Sequence, residues 1–217
     1  LRMSRGLGDV YKRQIYKDGE NSITLGFLAG TSNYATIKNS SVTNSKIYIE
    51  NYVEKLTFGG ITGSGTSANI QNSFIQNIQA QINNILSTDG IGGIIGKNTS
   101  GTIKNCYTTG KIETNREYTG GIAGYSTGEI SNCYSVININ STAKYIGGIV
   151  GYVTFNPGDF SATNPIKYNM FLGNIYTTSE INNRIVGNGE IGSGNFGYIN
   201  QKISGLSGCL LYTSDAA

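Results

Sequence analysis

The sequence predicts an all-β chain wound as a parallel β-helix, a β-solenoid, right-handed and with about three short strands in each coil. Three observations predict it. A glycine-bracketed block recurs as GGITG at 59–63, GGIIG at 92–96, GGIAG at 120–124 and GGIVG at 147–151, with a looser GFLAG at 26–30. Six or seven residues after each block comes a second element, IKNSS from Ile37, IQNSF from Ile70, IKNCY from Ile103 and ISNCY from Ile130. The composition supplies the rest: Ile, Thr and Tyr favour pleated, half-buried surfaces, while Asn and Gly favour turns. A unit repeated at this spacing buries its apolar face only by stacking on its neighbours.

At the N-terminal end, residues 1–14 (LRMSRGLGDVYKRQ) differ in character from the interior of the chain, as do residues 209–217 (CLLYTSDAA) at the other end. Both closely resemble the translated sequencing-adapter read-through carried by metagenomic gene fragments, and are set aside as processing scars. Without them the net charge falls from +3 to +1, so a basic, nucleic-acid-binding reading loses its support. If both ends are truncations, the outermost coils expose strand edges, and a chain of residues 15–208 is expected to self-associate.

The body from 15 to 151 carries the coils. Successive first glycines are separated by 33, 33, 28 and 27 residues. Stacked at about 4.8 Å, the strand spacing of a sheet, Leu28, Ile61, Ile94, Ile122 and Ile149 form one internal ladder. Ile37, Ile70, Ile103 and Ile130 form a second, and a third apolar position falls at Ile47, Ala80, Ile112 and Ile139. The glycines, Gly59, Gly60, Gly63, Gly92, Gly93, Gly96, Gly120, Gly121, Gly124, Gly147, Gly148 and Gly151, mark corners that turn sharply or places where coils pack too closely for a Cβ. Asn39, Asn72, Asn105 and Asn132 recur two residues after the second ladder. Asn tolerates the left-handed conformation, so each marks a bend with its amides stacked from coil to coil. A bend that reverses the in/out alternation turns Cys106 and Cys133 inward and Phe74, Tyr107 and Tyr134 outward. From 152 to 208 the pattern degenerates, with an insertion FNPGDFSATNP and a blurred copy NRIVG at 183–187.

One stretch competes. In 66–88, Ile70, Phe74, Ile78, Ile82 and Leu86 recur every four residues, as on an amphipathic helix. Its flanking glycine blocks and its own IQNSF place it in register with its neighbours, and strands are the expectation.

Candidate chemistry is sparse. GGIIGKN has three residues between its glycines where a phosphate loop needs four, and Asn98 follows Lys97 where Ser or Thr is required. GSGNFG at 192–197 fits a dinucleotide fingerprint in spacing but is followed by no helical stripe, which leaves turn glycines. Cys106 and Cys133, one coil apart, lack the His or Cys partners of a zinc site. They are expected as buried thiols rather than a disulfide. No metal or cofactor is expected, and no apolar run is long enough to insert in a membrane.

An enzyme acting on polysaccharides is the alternative, and it needs converging carboxylates. Most of the interior acids, from Asp18 to Glu190, are expected at turns and variable connections rather than at equivalent ladder positions on adjacent coils. Glu113 and Glu117, with Arg116, come closest to a cluster. The exposed aromatics Phe74, Tyr107 and Tyr134 are the candidate ligand contacts, against a purely structural tyrosine ladder.

The stretches GGIIGKNTSGTIKNCYTTGKI and GGIAGYSTGEISNCYSVININ resemble the GLUG repeat, closely over 92–151 and recognisably over 26–151. That resemblance implies a β-helical part of an extracellular or surface-attached bacterial protein, adhesin-like or the non-catalytic region of an IgA-protease-type metallopeptidase. It implies no activity. A spacer or ligand-displaying segment is therefore expected, meeting a host glycan or protein and the neighbouring repeats of its parent chain.

Overall fold

The computed structural model describes residues 22–49, 52–154, 165–178, 182–189 and 192–197, together with the backbone of the strands Lys12–Arg13 and Ile203–Ser204. The scar-like ends otherwise lie outside the described residues, as does most of the insertion, residues 155–164. Every paired strand runs parallel to its neighbours one coil before and after it, and the described residues contain no helix. The chain is a parallel β-helix.

Each coil lays down four strands, on four sheets, where the sequence pattern counted three. Face I holds Val53–Gly59, Ile85–Gly92, Thr119–Gly120 and their stacked equivalents. Face II holds Thr62–Thr66, Ile95–Thr99, Ala123–Ser126 and Val150–Val153. Face III holds the short Asn69–Gln71, Thr102–Lys104 and Glu129–Ser131. Face IV holds Phe74–Ile82, Tyr107–Thr114 and Tyr134–Ser141. The uncounted strand is that of face II. Its side chains are largely small or polar, as in TGSGT and AGYS, so it carries no apolar period of its own.

The predicted ladders stand in register. On face III, Ile37, Ile70, Ile103, Ile130 and Ile166 are successive partners. On face IV, Ile47, Ala80, Ile112, Ile139 and Ile175 are. The glycine-block ladder occupies the corner between faces I and II, where Leu28 N–H donates to Ile61 O, Ile61 to Ile94, Ile94 to Ile122, Ile122 to Ile149 and Ile149 to Ile185. All the isoleucines of that column from Ile61 onward are buried. Burying one such side chain contributes about 1.5–3 kcal/mol, so the columns are the core of the molecule.

The bends fall at the asparagines. Asn39, Asn72, Asn105 and Asn132 have φ of 52°, 49°, 53° and 53°, and Asn105 Nδ2 donates to Asn72 Oδ1 at 3.1 Å. The glycines are there for a different reason. None of the twelve has a positive φ; among the described glycines that belongs to Gly90, Gly110, Gly189 and Gly194. What excludes a Cβ is crowding. At Gly93 it would strike the Gly121 carbonyl and approach Ile137 Cδ1 to 2.8 Å, and at Gly121 it would strike the Gly148 carbonyl and Ser135 Oγ.

The helix-like stretch 66–88 is strand, broken by an irregularity between Ile75 and Ile78. Gln76 and Asn77 are both exposed there, Asn77 with φ of 58°, so Ile75 and Ile78 both face inward. A bulge that resets the alternation is what imitates the four-residue period. The pattern GSGNFG is a corner: Gly194 has φ of 69°, and the buried Asn195 amide donates to Ile166 O and Gly192 O, each at 2.7 Å.

Candidate functional site

Two surfaces stand out, one anticipated and one not. The anticipated one is on face IV, where Ser41, Phe74, Tyr107, Tyr134, Met170 and Phe196 follow one another in register on the outer side. Phe74 and Tyr107 stack at 4.6 Å between ring centroids and 6° between planes, Tyr107 and Tyr134 at 4.9 Å and 5°. Tyr107 is therefore covered on both faces by its neighbours. Its ring offers solvent a rim and a hydroxyl. Burial, then the neighbouring Tyr107, raises the Tyr134 phenol above its ordinary value, so that hydroxyl keeps its proton at neutral pH.

Inside that row runs a polar column, Ser73, Cys106, Cys133 and Asn169. Cys106 Sγ lies 3.2 Å from Lys104 O and 3.8 Å from Ile70 O, and Cys133 Sγ 3.3 Å from Ser131 O and 3.8 Å from Ile103 O. Asn169 takes the same place with a stronger donor, its Nδ2 reaching Ile130 O at 2.9 Å. Both cysteines are free and buried. Burial pushes the Cys133 thiol well above its ordinary range, and such a thiol is a poor nucleophile.

The second surface lies at the edges of faces I and II, where the sequence pattern was read only as corners. Tyr118 and Tyr145, both in the left-handed conformation with φ of 54° and 64°, stack at 5.6 Å and 3°. Tyr152 meets both edge-on, at 5.2 and 5.5 Å, and stacks on Tyr125 at 5.9 Å. Lys97 sits 5.7 Å over Tyr125 and Lys144 5.2 Å over Tyr145. The signal was present: EYTGGIAGY and KYIGGIVGY each place a tyrosine two residues before the paired glycines and another directly after the block.

Beside this cluster the period shortens, and a cleft of about 510 Å³ opens between Leu86, Ser87 and Thr88, the corner Asn115–Tyr118 and the corner Thr142–Lys144. Burial, then the nearby Glu117 carboxylate, raises the Tyr118 phenol. Of the suggested cluster, Arg116 and Glu117 line this cleft, whereas Glu113 pairs with Lys111.

The other described acids with resolved partners also meet lysines. Asp89 lies 2.9 Å from Lys55 and 3.4 Å from Lys97. Partial burial opposes its ionisation, but the lysine hydrogen bonds and charges outweigh that and hold its carboxyl below the ordinary value. Lys97 is thus tied to a carboxylate and a tyrosine. Glu129 lies 3.2 Å from Lys104 and 3.6 Å from Lys167. Its burial, likewise unfavourable to charge, is outweighed by the Ser131 hydroxyl and the two lysines. No group of three or more potential metal ligands occurs among the described residues, and no described helix is long and apolar enough to cross a membrane.

Stacked parallel coils, in-register ladders and a recurring corner asparagine define a β-helical repeat protein. The family model for the GLUG motif matches twice, over residues 87–113 and 115–140, so two successive coils each carry a copy of that motif. Each match spans one turn, starting on the face I strand or the corner leading into face I and ending on face IV. No curated protein and no solved structure matches the chain.

Proposed function

We propose that this chain is a non-catalytic segment of a bacterial cell-surface or secreted protein, a stiff β-helical spacer that holds a binding surface away from the cell. The observation that carries the reading is the unbroken glycine row of face I, Gly26, Gly59, Gly92, Gly120 and Gly147, continued by Asn183. Six stacked coils at about 4.8 Å each make a rod with an isoleucine-rich core, and further repeats of the parent protein lengthen it by the same step. The association of the GLUG motif with extracellular proteins supports the location. The partner expected on the outer faces is a host glycan or protein, touching the rims of Phe74, Tyr107 and Tyr134. The lysine partners of Asp89, Glu113 and Glu129 favour solvated ion pairs over an acid and base poised for hydrolysis.

The test is a release assay with the full chain on a panel of neutral and acidic polysaccharides, reading reducing ends and unsaturated products. The spacer reading expects none. Turnover that disappears in Glu129→Gln or Asp89→Asn would overturn it in favour of a carbohydrate-active enzyme.

A further inference from the structure

A solenoid covers each strand edge with the next coil, and here one edge is left open. Ile85–Gly92 pairs from Ile85 to Gly92 with Val53–Gly59 of the coil before, but on its other side only Ile91 and Gly92 find strand partners, Thr119 and Gly120. The cause is a shortened coil. From Ala80 the chain takes twelve residues to reach Gly92, and from the equivalent Ile112 only eight to reach Gly120. Four residues are thus missing from the stretch that would have paired along Ile85–Asp89. In their place is the cleft whose walls include Leu86, Thr88, Arg116, Glu117, Tyr118 and Lys144.

We propose that this open edge docks an extended acidic peptide segment of a partner protein, which adds itself to face I as an extra strand beside Ile85–Asp89. The regular part of that edge, Ile85–Thr88, runs roughly 13 Å at strand rise up to the register shift between Thr88 and Gly90, and presents alternating N–H and C=O groups that a peptide backbone matches residue for residue. Charge selects the side chains. Arg116 and Lys144 outnumber Glu117 in the cleft, and Arg116 Nε is a buried donor with no hydrogen-bond partner. Leu86, 56% exposed, offers an apolar contact at the mouth. A sugar fits less well, because Tyr118 and Tyr145 each give one ring face to the other and Lys144 lies over the Tyr145 ring. The inference rests on the reading of the chain as a non-catalytic display segment and adds a docking site separate from the rims of Phe74, Tyr107 and Tyr134.

The test is fluorescence polarisation of the full chain with labelled acetyl-Thr-Val-Glu-Val-Thr-amide. Two analogues carry N-methyl groups at alternate positions, 2 and 4 or 3 and 5, and a third has Lys for Glu. Strand pairing uses alternate N–H groups, so one N-methyl analogue loses at least tenfold in affinity while the other is spared, and the Lys analogue loses at least fivefold. Val53 N–H donates to Asn84 O, and the alternation this sets puts the Ser87 N–H on the open side. Ser87→Pro therefore loses at least tenfold, and Lys144→Glu, an exposed change that spares folding, loses at least threefold. No binding at 1 mM, or equal loss in both N-methyl analogues, overturns the proposal. Displacement by tetragalacturonate overturns it in favour of an acidic glycan. Failure here leaves the spacer reading intact, since only polysaccharide turnover bears on that.

Discussion

Replacing Gly121 by Ala separates two explanations of the paired glycines. On backbone propensity alone the change stabilises, by about 0.4–1 kcal/mol, because Gly121 is not in the left-handed region and Ala narrows the unfolded ensemble. Packing says the opposite. The new Cβ would strike the Gly148 carbonyl of the next coil and Ser135 Oγ, with Ser135 Cβ at 2.9 Å. The hydroxyl can rotate away, but the carbonyl is fixed by the coil stacking, since Gly148 N–H donates to Arg184 O and Ile149 N–H to Ile185 O, both at 2.9 Å. Overpacking of this kind costs about 1–3 kcal/mol, and a contact against backbone belongs at the upper end. The expected loss is about 3 kcal/mol, or roughly 6–12 °C in melting temperature for a chain of this size. Urea unfolding followed by circular dichroism and tyrosine fluorescence reads it as a lower midpoint at unchanged slope. Ser135→Gly combined with Gly121→Ala should recover less than half. A Gly121→Ala chain as stable as the parent would refute the crowding argument.

Three further outcomes are expected. Asn105→Ala places a side chain that cannot hydrogen-bond at φ of 53° and removes the hydrogen bond that Asn105 Nδ2 donates to Asn72 Oδ1, costing about 1–2 kcal/mol; Asn105→Gly, which relieves the backbone, costs less in the same urea titration. Asp89 has a folded pKa below its unfolded value near 3.8, so its pairing with Lys55 and Lys97 stabilises the fold above that pH. The contribution is lost as pH falls through the lower folded value, and Asp89→Asn flattens that part of the midpoint-against-pH curve. The pair is partly exposed, so the effect is small, about 1 kcal/mol or less. Cys106 and Cys133 should react with a disulfide reagent only in denaturant, whereas an immediate reaction in buffer would mean the corner column opens.

The rows that stack on themselves were legible in the chain. Ile37, Ile70, Ile103 and Ile130 repeat because each buries its side chain against the next, and that need is written as period. The asparagine after them was legible for the same reason, as a residue type matched to a backbone conformation. Face II was not, because TGSGT and AGYS carry no apolar alternation and are strands only by pairing with their neighbours. Nor was the bulge at Gln76 and Asn77, which imitated a helix. The tyrosine cluster had a local sign in the residues flanking the glycine blocks. Its members lie on different corners and strands, and only the stacking of coils brings Tyr118, Tyr145 and Tyr152 together.

The sequence by itself determined the solenoid, its internal ladders, its bends and the inward turn of the cysteines, because each is a one-coil rule applied again in every coil. The tertiary structure decided what depends on the difference between coils: the carbonyl crowding that excludes a Cβ from the glycines, the four-sided section, and the open edge at Ile85–Asp89. Those depend on how one coil sits on the next, and a change of five residues in the period acquires its meaning only when the two coils are laid side by side.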